Sequence, residues 1–173
     1  MKEKLESENF DATLKVADAC LKSKVKLIVL SSTSVYGSQN ELVDEECSEE
    51  ELQPQKLQMQ FGTKLLRYVQ SLCREKGLEA AIFRYGTIFG VSPGMRFHTA
   101  VNKFCFQAAT GQPVTVWRTA IDQVRPYLDL RDGVRAIRHA SENNIFDGEI
   151  YNVLTLNTSV RNIVNAIEKC SVK

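Results

Sequence analysis

Apolar positions at the start of the chain follow two different spacings. Phe10, Leu14, Ala17 and Leu21 are three or four residues apart, which is the spacing of one face of an α-helix. The run Val25–Leu30 that follows is short and almost entirely apolar, as is typical of a strand buried on both faces of a parallel sheet. A helix followed by a buried strand is therefore predicted at the start of the chain.

Helices and strands continue to alternate along the rest of the chain. Helices are predicted at residues 54–76, 97–109, 130–137 and 160–167, and strands at residues 78–85, 113–117, 126–130 and 149–154. Gly77 is suited to close the first of these helices, because glycine accepts the left-handed conformation that follows many helix ends. Residues 86–94 are predicted to form a loop, and Asn157 or Thr158 is expected to cap the last helix. This alternation predicts βαβ units and a mainly parallel sheet, hence an α/β fold in one domain over residues 1–173.

The predicted helix at residues 54–76 is apolar on two faces. The two stripes consist of Leu57, Phe61, Leu65, Tyr68 and Leu72, and of Met59, Leu66, Val69 and Cys73. Apolar residues on two faces of one helix predict burial on both sides. We expect one face to pack against the sheet and the other against another element or a second subunit.

The charge and cysteine content exclude several classes of partner. The chain has 22 basic and 21 acidic residues and a net charge of +1, so no overall field would attract nucleic acid or an anionic membrane. No apolar run is long enough to span a bilayer, and residues 1–9 are charged rather than typical of a signal peptide. The five cysteines are widely scattered and there are only two histidines, which predicts reduced thiols in a cytoplasmic protein and no metal site.

The most informative stretch is the end of the first predicted strand. Four hydroxyl residues, Ser31 to Ser34, follow the apolar run directly, and ligands in open α/β sheets bind beyond the carboxyl ends of the strands. Ser32 at this end and Lys64 in the next helix can face the same crevice. A lysine there can hold a ribose hydroxyl and favour the ionised form of a neighbouring phenol. The alternative is that Ser32 caps or turns the chain and Lys64 points into water.

Five sequence blocks together resemble one known family. They are Asn9–Thr13, Leu27–Gly37, Phe83–Gly90, Gln123–Asp132 and Glu149–Val153, in the family's order. The chain resembles the C-terminal portion of extended short-chain dehydrogenase/reductases, the NAD-dependent epimerase/dehydratase family that acts on nucleotide sugars. The resemblance implies an incomplete Rossmann-like parallel sheet with helices, carried by residues 1–90. It also implies a small, mainly substrate-binding C-terminal lobe in residues 91–173.

The resemblance assigns a role to individual residues. It implies that Ser32 hydrogen-bonds the substrate hydroxyl or carbonyl that is oxidised or reduced. Lys64 would bind the nicotinamide ribose of NAD or NADP, and Tyr85 would lie beside the nicotinamide. Arg125 would pair with a phosphate of the nucleotide sugar, although a surface salt bridge is the alternative. Thr87 stands where many relatives have asparagine, so its substrate contact is left open.

The sequence departs from the family in two places. The family's catalytic tyrosine lies four residues before the lysine, and this chain has Gln60 there. An amide has no proton to exchange near neutral pH, and Tyr68 on the other side of Lys64 is interpreted as a packing residue. The nine glycines also contain no Gly-x-Gly-x-x-Gly turn for the pyrophosphate of a dinucleotide. NAD or NADP is expected for the family, but this chain lacks that fingerprint for binding it.

Two main hypotheses follow for the function. The first is a family member that is inactive or impaired alone, with epimerase, dehydratase and reductase chemistry left open. The second is a non-catalytic sugar-nucleotide-binding or regulatory subunit. It would form a homodimer or associate with an intact relative through the helices at 10–21 and 54–76. An active enzyme that uses Tyr68 as its base is a third hypothesis.

Overall fold

A computed structural model describes residues 2–36, 45, 57–116 and 118–171. The helices are α1 (Lys2–Ser23), α2 (Leu57–Lys76), α3 (Ala100–Ala109), α4 (Leu130–Glu142) and α5 (Val160–Ser171). The strands are β1 (Leu27–Ser32), β2 (Ala80–Tyr85), β3 (Thr87–Phe89), β4 (Val124–Asp129), β5 (Asp147–Val153) and β6 (Leu156–Ser159). Short 3₁₀ turns lie at Thr33–Tyr36 and Arg118–Ala120. The predicted start of the second helix at Pro54 lies outside the described residues.

The chain divides into two compact units that alternate along the sequence. Unit 1 comprises residues 1–85 and 136–152, and unit 2 comprises residues 86–135 and 153–173. Neither unit is continuous in sequence, because residues 136–152 return to unit 1. The prediction of one domain with a mainly substrate-binding part at residues 91–173 stays a prediction.

Unit 1 is built on parallel strands covered by helices. Its sheet has the order β1-β2-β5, and β1 pairs with β2 in parallel from Leu27–Ala80 to Ser32–Tyr85. Val29 and Ile82 are register partners and pack with Leu66 of α2 and Ala17 of α1 in one buried cluster. The apolar stripe of α2 that contains Leu66 therefore covers this sheet, as its spacing predicts.

Unit 2 contains a smaller mixed sheet of order β3-β4-β6. Strands β3 and β4 are parallel, whereas β4 and β6 are antiparallel. Phe104 of α3 packs with Tyr127 of β4 and with Val160 and Ile163 of α5. Helices α3 and α5 also contact each other, and together they cover one face of the sheet.

Three predicted local elements are wrong. Pro113–Val116 form no strand, and the predicted loop at 86–94 contains the strand β3. Neither Asn157 nor Thr158 caps α5, because the helix begins at Val160 and Ser159 therefore precedes its first residue. The hydroxyl of Ser159 accepts a hydrogen bond from the Asn162 N–H at 3.3 Å instead, which is the usual bond of a helix N-cap.

Candidate functional site

Ser32 and Tyr85 lie side by side where β1 and β2 end. They are register partners, and the Thr33 hydroxyl donates to the Tyr85 carbonyl at 3.3 Å. The hydroxyl of Ser32 is exposed and accepts a hydrogen bond from the Ser34 N–H at 3.2 Å. Ser32 therefore helps to turn the chain, as the alternative interpretation holds, while a second lone pair and its proton are available to a ligand.

A buried polar cluster beneath this edge was not predicted from the sequence. Arg84 is only 4% exposed, and its Nη1 donates to the Tyr36 hydroxyl at 2.8 Å. The side-chain amide of Asn152 in β5 lies 2.9 Å (Nδ2) and 3.0 Å (Oδ1) from the same hydroxyl. Tyr36 ends the turn that follows Ser32, so these bonds tie that turn to β2 and β5.

The same cluster shows how a cation is accommodated among apolar strands. The Arg84 guanidinium carbon lies 5.1 Å from the centre of the Tyr36 ring, a cation–π distance. Nε of Arg84 has no hydrogen-bond partner among the described residues. An arginine inside the otherwise apolar segment Ala80–Tyr85 is the sequence signal that could have pointed to this cluster, because buried charges need partners.

Lys64 is exposed in α2, and α2 contacts the 3₁₀ turn that follows Ser32. The helix that carries the lysine therefore lies next to the segment that carries the serine. Gln60 belongs to the first turns of the same helix, and its side chain lies outside the described part of the structure. The convergence of Ser32 and Lys64 on one crevice stays a prediction.

Tyr68 connects α1 and α2. Its hydroxyl donates to Oδ1 of Asp18 in α1 at 2.8 Å, and its ring packs against the buried cluster. The hydrogen bond to the Asp18 carboxylate is the main cause that raises the pKa of Tyr68 above its usual value, and burial adds to it. A phenol whose neutral form is favoured in this way is a poor base.

Unit 2 places Thr87 and Arg125 on one face of its sheet. Thr87 is the register partner of Tyr127, and Arg125 lies two residues before Tyr127 on the same strand. Side chains two residues apart in a strand point to the same face. Both residues are exposed, and Nη2 of Arg125 donates to Oε1 of Gln123 at 2.9 Å. No ion pair of Arg125 is found in the part of the chain that the structure describes.

Asn102 fixes the loop between β3 and α3. It is only 6% exposed, its Nδ2 donates to the Arg96 carbonyl at 3.1 Å, and its Oδ1 accepts the Gly90 N–H at 3.1 Å. Gly90 has a φ of 126°, a conformation that favours glycine. The buried amide therefore spans this loop, a role that spacing in the sequence does not reveal.

The residues that the resemblance assigns to the cofactor concern only one end of a dinucleotide. The places of Lys64 and Tyr85 at the nicotinamide end stay predictions from the resemblance, whereas none of the nine glycines has the spacing that cradles a pyrophosphate. Within the described ranges, no three His, Cys, Asp or Glu side chains are grouped to hold a metal ion. None of the helices of those ranges is long and apolar enough to cross a membrane.

Comparison with known proteins identifies the class of this chain. Residues 2–153 match the model of the NAD dependent epimerase/dehydratase family, and the chain belongs to that family. The α/β class with a small, incomplete Rossmann-like sheet is thereby confirmed, as is the resemblance to extended short-chain dehydrogenase/reductases.

Two curated relatives are named after nucleotide sugars. The chain is 33% identical over 118 residues to the chloroplastic UDP-sulfoquinovose synthase of Spinacia oleracea, covering 58% of this chain and 24% of that protein. It is 28% identical over 170 residues to the uncharacterized UDP-glucose epimerase YtcB of Bacillus subtilis strain 168, covering 95% of this chain and 51% of that protein. The chain thus spans about half or less of the length of these relatives.

A similar solved structure contains both a nucleotide sugar and NAD. A point mutant of the UDP-glucuronic acid 4-epimerase of Bacillus cereus, in complex with UDP-4-deoxy-4-fluoro-glucuronic acid and NAD, superimposes with a TM-score of 0.75 at 26% identity. The superposition covers 93% of this chain and 50% of that structure. NAD is bound in this structure, which agrees with the NAD or NADP that the resemblance implies for the family.

Proposed function

We propose that this chain binds a nucleotide sugar and does not by itself carry out the family's oxidation and reduction chemistry. Arg125 carries the binding half of the proposal. Its guanidinium is exposed and hydrogen-bonded to the neutral amide of Gln123, so its positive charge is available to an anion. A planar guanidinium matches two phosphate oxygens with parallel hydrogen bonds, and Thr87 shares the same sheet face.

UDP-sugars are the first ligands to test. Two of the relatives reported above are named after a UDP-sugar, and the Bacillus cereus structure contains one. In this proposal the Ser32 hydroxyl hydrogen-bonds a sugar hydroxyl. Lys64 would bind the nicotinamide ribose of the cofactor and Tyr85 would lie beside the nicotinamide, as the resemblance implies. The buried pairing of Arg84 with Tyr36 supports these assignments indirectly, since it holds the turn next to Ser32.

The proposed lack of catalysis rests on the absence of a tyrosine at position 60. Gln60 occupies the position four residues before Lys64, where the family has its tyrosine, and an amide exchanges no proton near neutral pH. Tyr68 is engaged by Asp18, which raises the pKa of the phenol. Hydride transfer coupled to proton transfer by tyrosine would therefore fail at this site.

A regulatory subunit is the second candidate, and the surface of α1 favours it. Helices α1 and α2 pack against each other, as the Tyr68–Asp18 hydrogen bond also indicates. Val16 of α1 is 49% exposed, so apolar surface on this pair is open to a second copy or an intact relative. A cytoplasmic location, expected from the reduced thiols, belongs to the same proposal.

Titration calorimetry with UDP-glucose and with NAD tests the main proposal. We expect UDP-glucose to bind, NAD to give no heat, and Arg125→Ala to weaken UDP-glucose by about 10-fold or more, since hydrogen bonds to charged groups contribute about 1.5–3 kcal/mol. Arg138→Ala is the matched control, because Arg138 is an exposed arginine that pairs with Glu142.

The outcomes separate the hypotheses. Failure of UDP-glucose to bind, or equal binding by Arg125→Ala, would overturn the binding half. Binding of NAD together with turnover of UDP-glucose would overturn the non-catalytic half. Light scattering on the same sample measures the molar mass and so tests the regulatory-subunit hypothesis, which predicts a dimer rather than a monomer.

A further inference from the structure

Unit 2 contains a cavity that the proposed function does not use. Its volume is about 700 Å³, and it lies between α3 and α5 above the strands β3, β4 and β6. Phe89, Tyr127 and Leu156 form its apolar floor. Thr87 and Arg125, the residues of the proposed nucleotide-sugar site in this unit, do not line it.

Two thiols face this cavity from opposite helices. Cys105 in the middle of α3 and Cys170 in the last turn of α5 both line it, and both are exposed. The helices that carry them are in contact. By contrast, Cys20 and Cys73 are half-buried in unit 1.

The electrostatics of Cys105 agree with the placement of both thiols on one cavity. Partial burial is the main cause that raises the pKa of Cys105, and the Coulomb interaction with Cys170 raises it further. Coulomb interactions weaken with distance and are screened in water. The proximity of the two thiols is inferred from their positions on the walls of one cavity and from the contact between α3 and α5.

We propose that Cys105 and Cys170 are a redox-sensitive dithiol that forms a reversible intrachain disulfide linking α3 to α5. A disulfide needs Cα atoms within about 7 Å. Cys170 immediately precedes Ser171, the last residue of α5, and the last turn of a helix can adjust its position with little cost. Closing this bond would join the two helical walls of the cavity.

The oxidant in this proposal is a low-molecular-weight disulfide such as oxidised glutathione. One protein thiolate attacks a glutathione sulfur, and the S–S bond breaks to release one glutathione thiolate. The second protein thiolate then attacks the mixed disulfide and releases the second glutathione. The protein loses two electrons and two protons, and both are carried by the two molecules of reduced glutathione.

Intact-mass and peptide-mapping mass spectrometry test the proposal on the chain treated with oxidised glutathione. We expect the loss of two hydrogen atoms and a cross-linked peptide pair containing Cys105 and Cys170, reversed by dithiothreitol. Cys105→Ser and Cys170→Ser should each abolish this species. Cys20→Ser and Cys73→Ser are matched controls that should retain it, and so should Cys47→Ser, whose position lies outside the described residues.

Three outcomes would overturn the inference. They are stable attachment of glutathione to both Cys105 and Cys170, a covalent dimer linked through either residue, and pairing of either residue with a different cysteine of the chain. Each would show that the two thiols do not reach each other across the cavity. None of these outcomes bears on UDP-glucose binding, so the two proposals can fail separately.

Discussion

The two units use their apolar residues differently. All six residues of β2 in unit 1 are buried, including the charged Arg84, whereas unit 2 leaves a cavity of about 700 Å³ between its helices. In unit 1 the packing is close enough to enclose an arginine together with its partners. In unit 2 the lining atoms of the cavity lack neighbours on one side and lose the corresponding dispersion contacts. We therefore expect unit 1 to tolerate substitution poorly and unit 2 to tolerate it better.

The largest expected difference concerns removal of a buried aliphatic side chain. Leu66→Ala in unit 1 should lower the free energy of unfolding by about 3–5 kcal/mol, because Leu66 is 1% exposed and surrounded by packed neighbours. Ile163→Ala in unit 2 should cost about 2 kcal/mol or less, since Ile163 already borders the cavity. Urea denaturation followed by circular dichroism measures both values.

Val91→Ala is the control for this pair, because Val91 is 92% exposed and should change stability by less than about 0.5 kcal/mol. Equal losses for Leu66→Ala and Ile163→Ala would contradict the difference in packing between the two units.

Two glycines with similar backbone conformations sharpen the comparison. Gly148 in unit 1 has a φ of 79°, and a Cβ there would lie 2.6 Å from Cβ of Cys73. Gly111 in unit 2 has a φ of 68° with nothing within 4 Å of the same position. Gly111→Ala should cost about 1–2 kcal/mol from the left-handed backbone alone, and Gly148→Ala about 2–4 kcal/mol because overpacking is added.

Melting temperatures of these two variants, measured side by side, test the expectation. A smaller decrease for Gly148→Ala than for Gly111→Ala would mean that the contact with Cys73 relaxes freely. The close packing of unit 1 would then have to be reconsidered.

The sequence predicted the elements whose signals are local. The spacing of apolar residues located α2, and Gly77 follows the end of that helix with a φ of 73°, as expected for a glycine there. Leu78–Tyr85 was predicted to be a buried strand, and the structure places the fully buried β2 at Ala80–Tyr85. These signals suffice because burial and helix ends depend on residues close in sequence.

The sequence did not predict the elements that depend on distant partners. Strand β3 has only three residues and exists because Thr87–Phe89 pair with β4, about 40 positions later in the chain. The same is true of β6, which exists because residues 156–159 pair with β4, about 30 positions earlier in the chain. The buried contact between Arg84 and Tyr36 joins residues 48 positions apart, which spacing cannot reveal.

The smallest expected effect is the dependence of the free energy of unfolding on acidic pH, through one carboxylate of unit 2. Oδ1 of Asp129 accepts the Arg131 N–H at 2.8 Å, and Oδ2 accepts its Nη2 at 2.9 Å. The hydrogen bonds from Arg131 lower the pKa of Asp129 from 3.8 to about 2. Because the pKa is lower in the folded state, the stabilisation is complete above about pH 4 and is lost as the pH falls toward 2.

Asp129→Asn should therefore be less stable than the parent chain at pH 5, and the difference should shrink between about pH 4 and pH 2. We expect a difference below about 1 kcal/mol, since the Arg131 side chain is 87% exposed and solvent screens the pair. Urea unfolding at several pH values measures the gap, and added salt should reduce it. A gap that stays constant down to pH 2 would show that the carboxylate of Asp129 does not contribute through its charge. The acid sensitivity of unit 2 would then have to come from other groups.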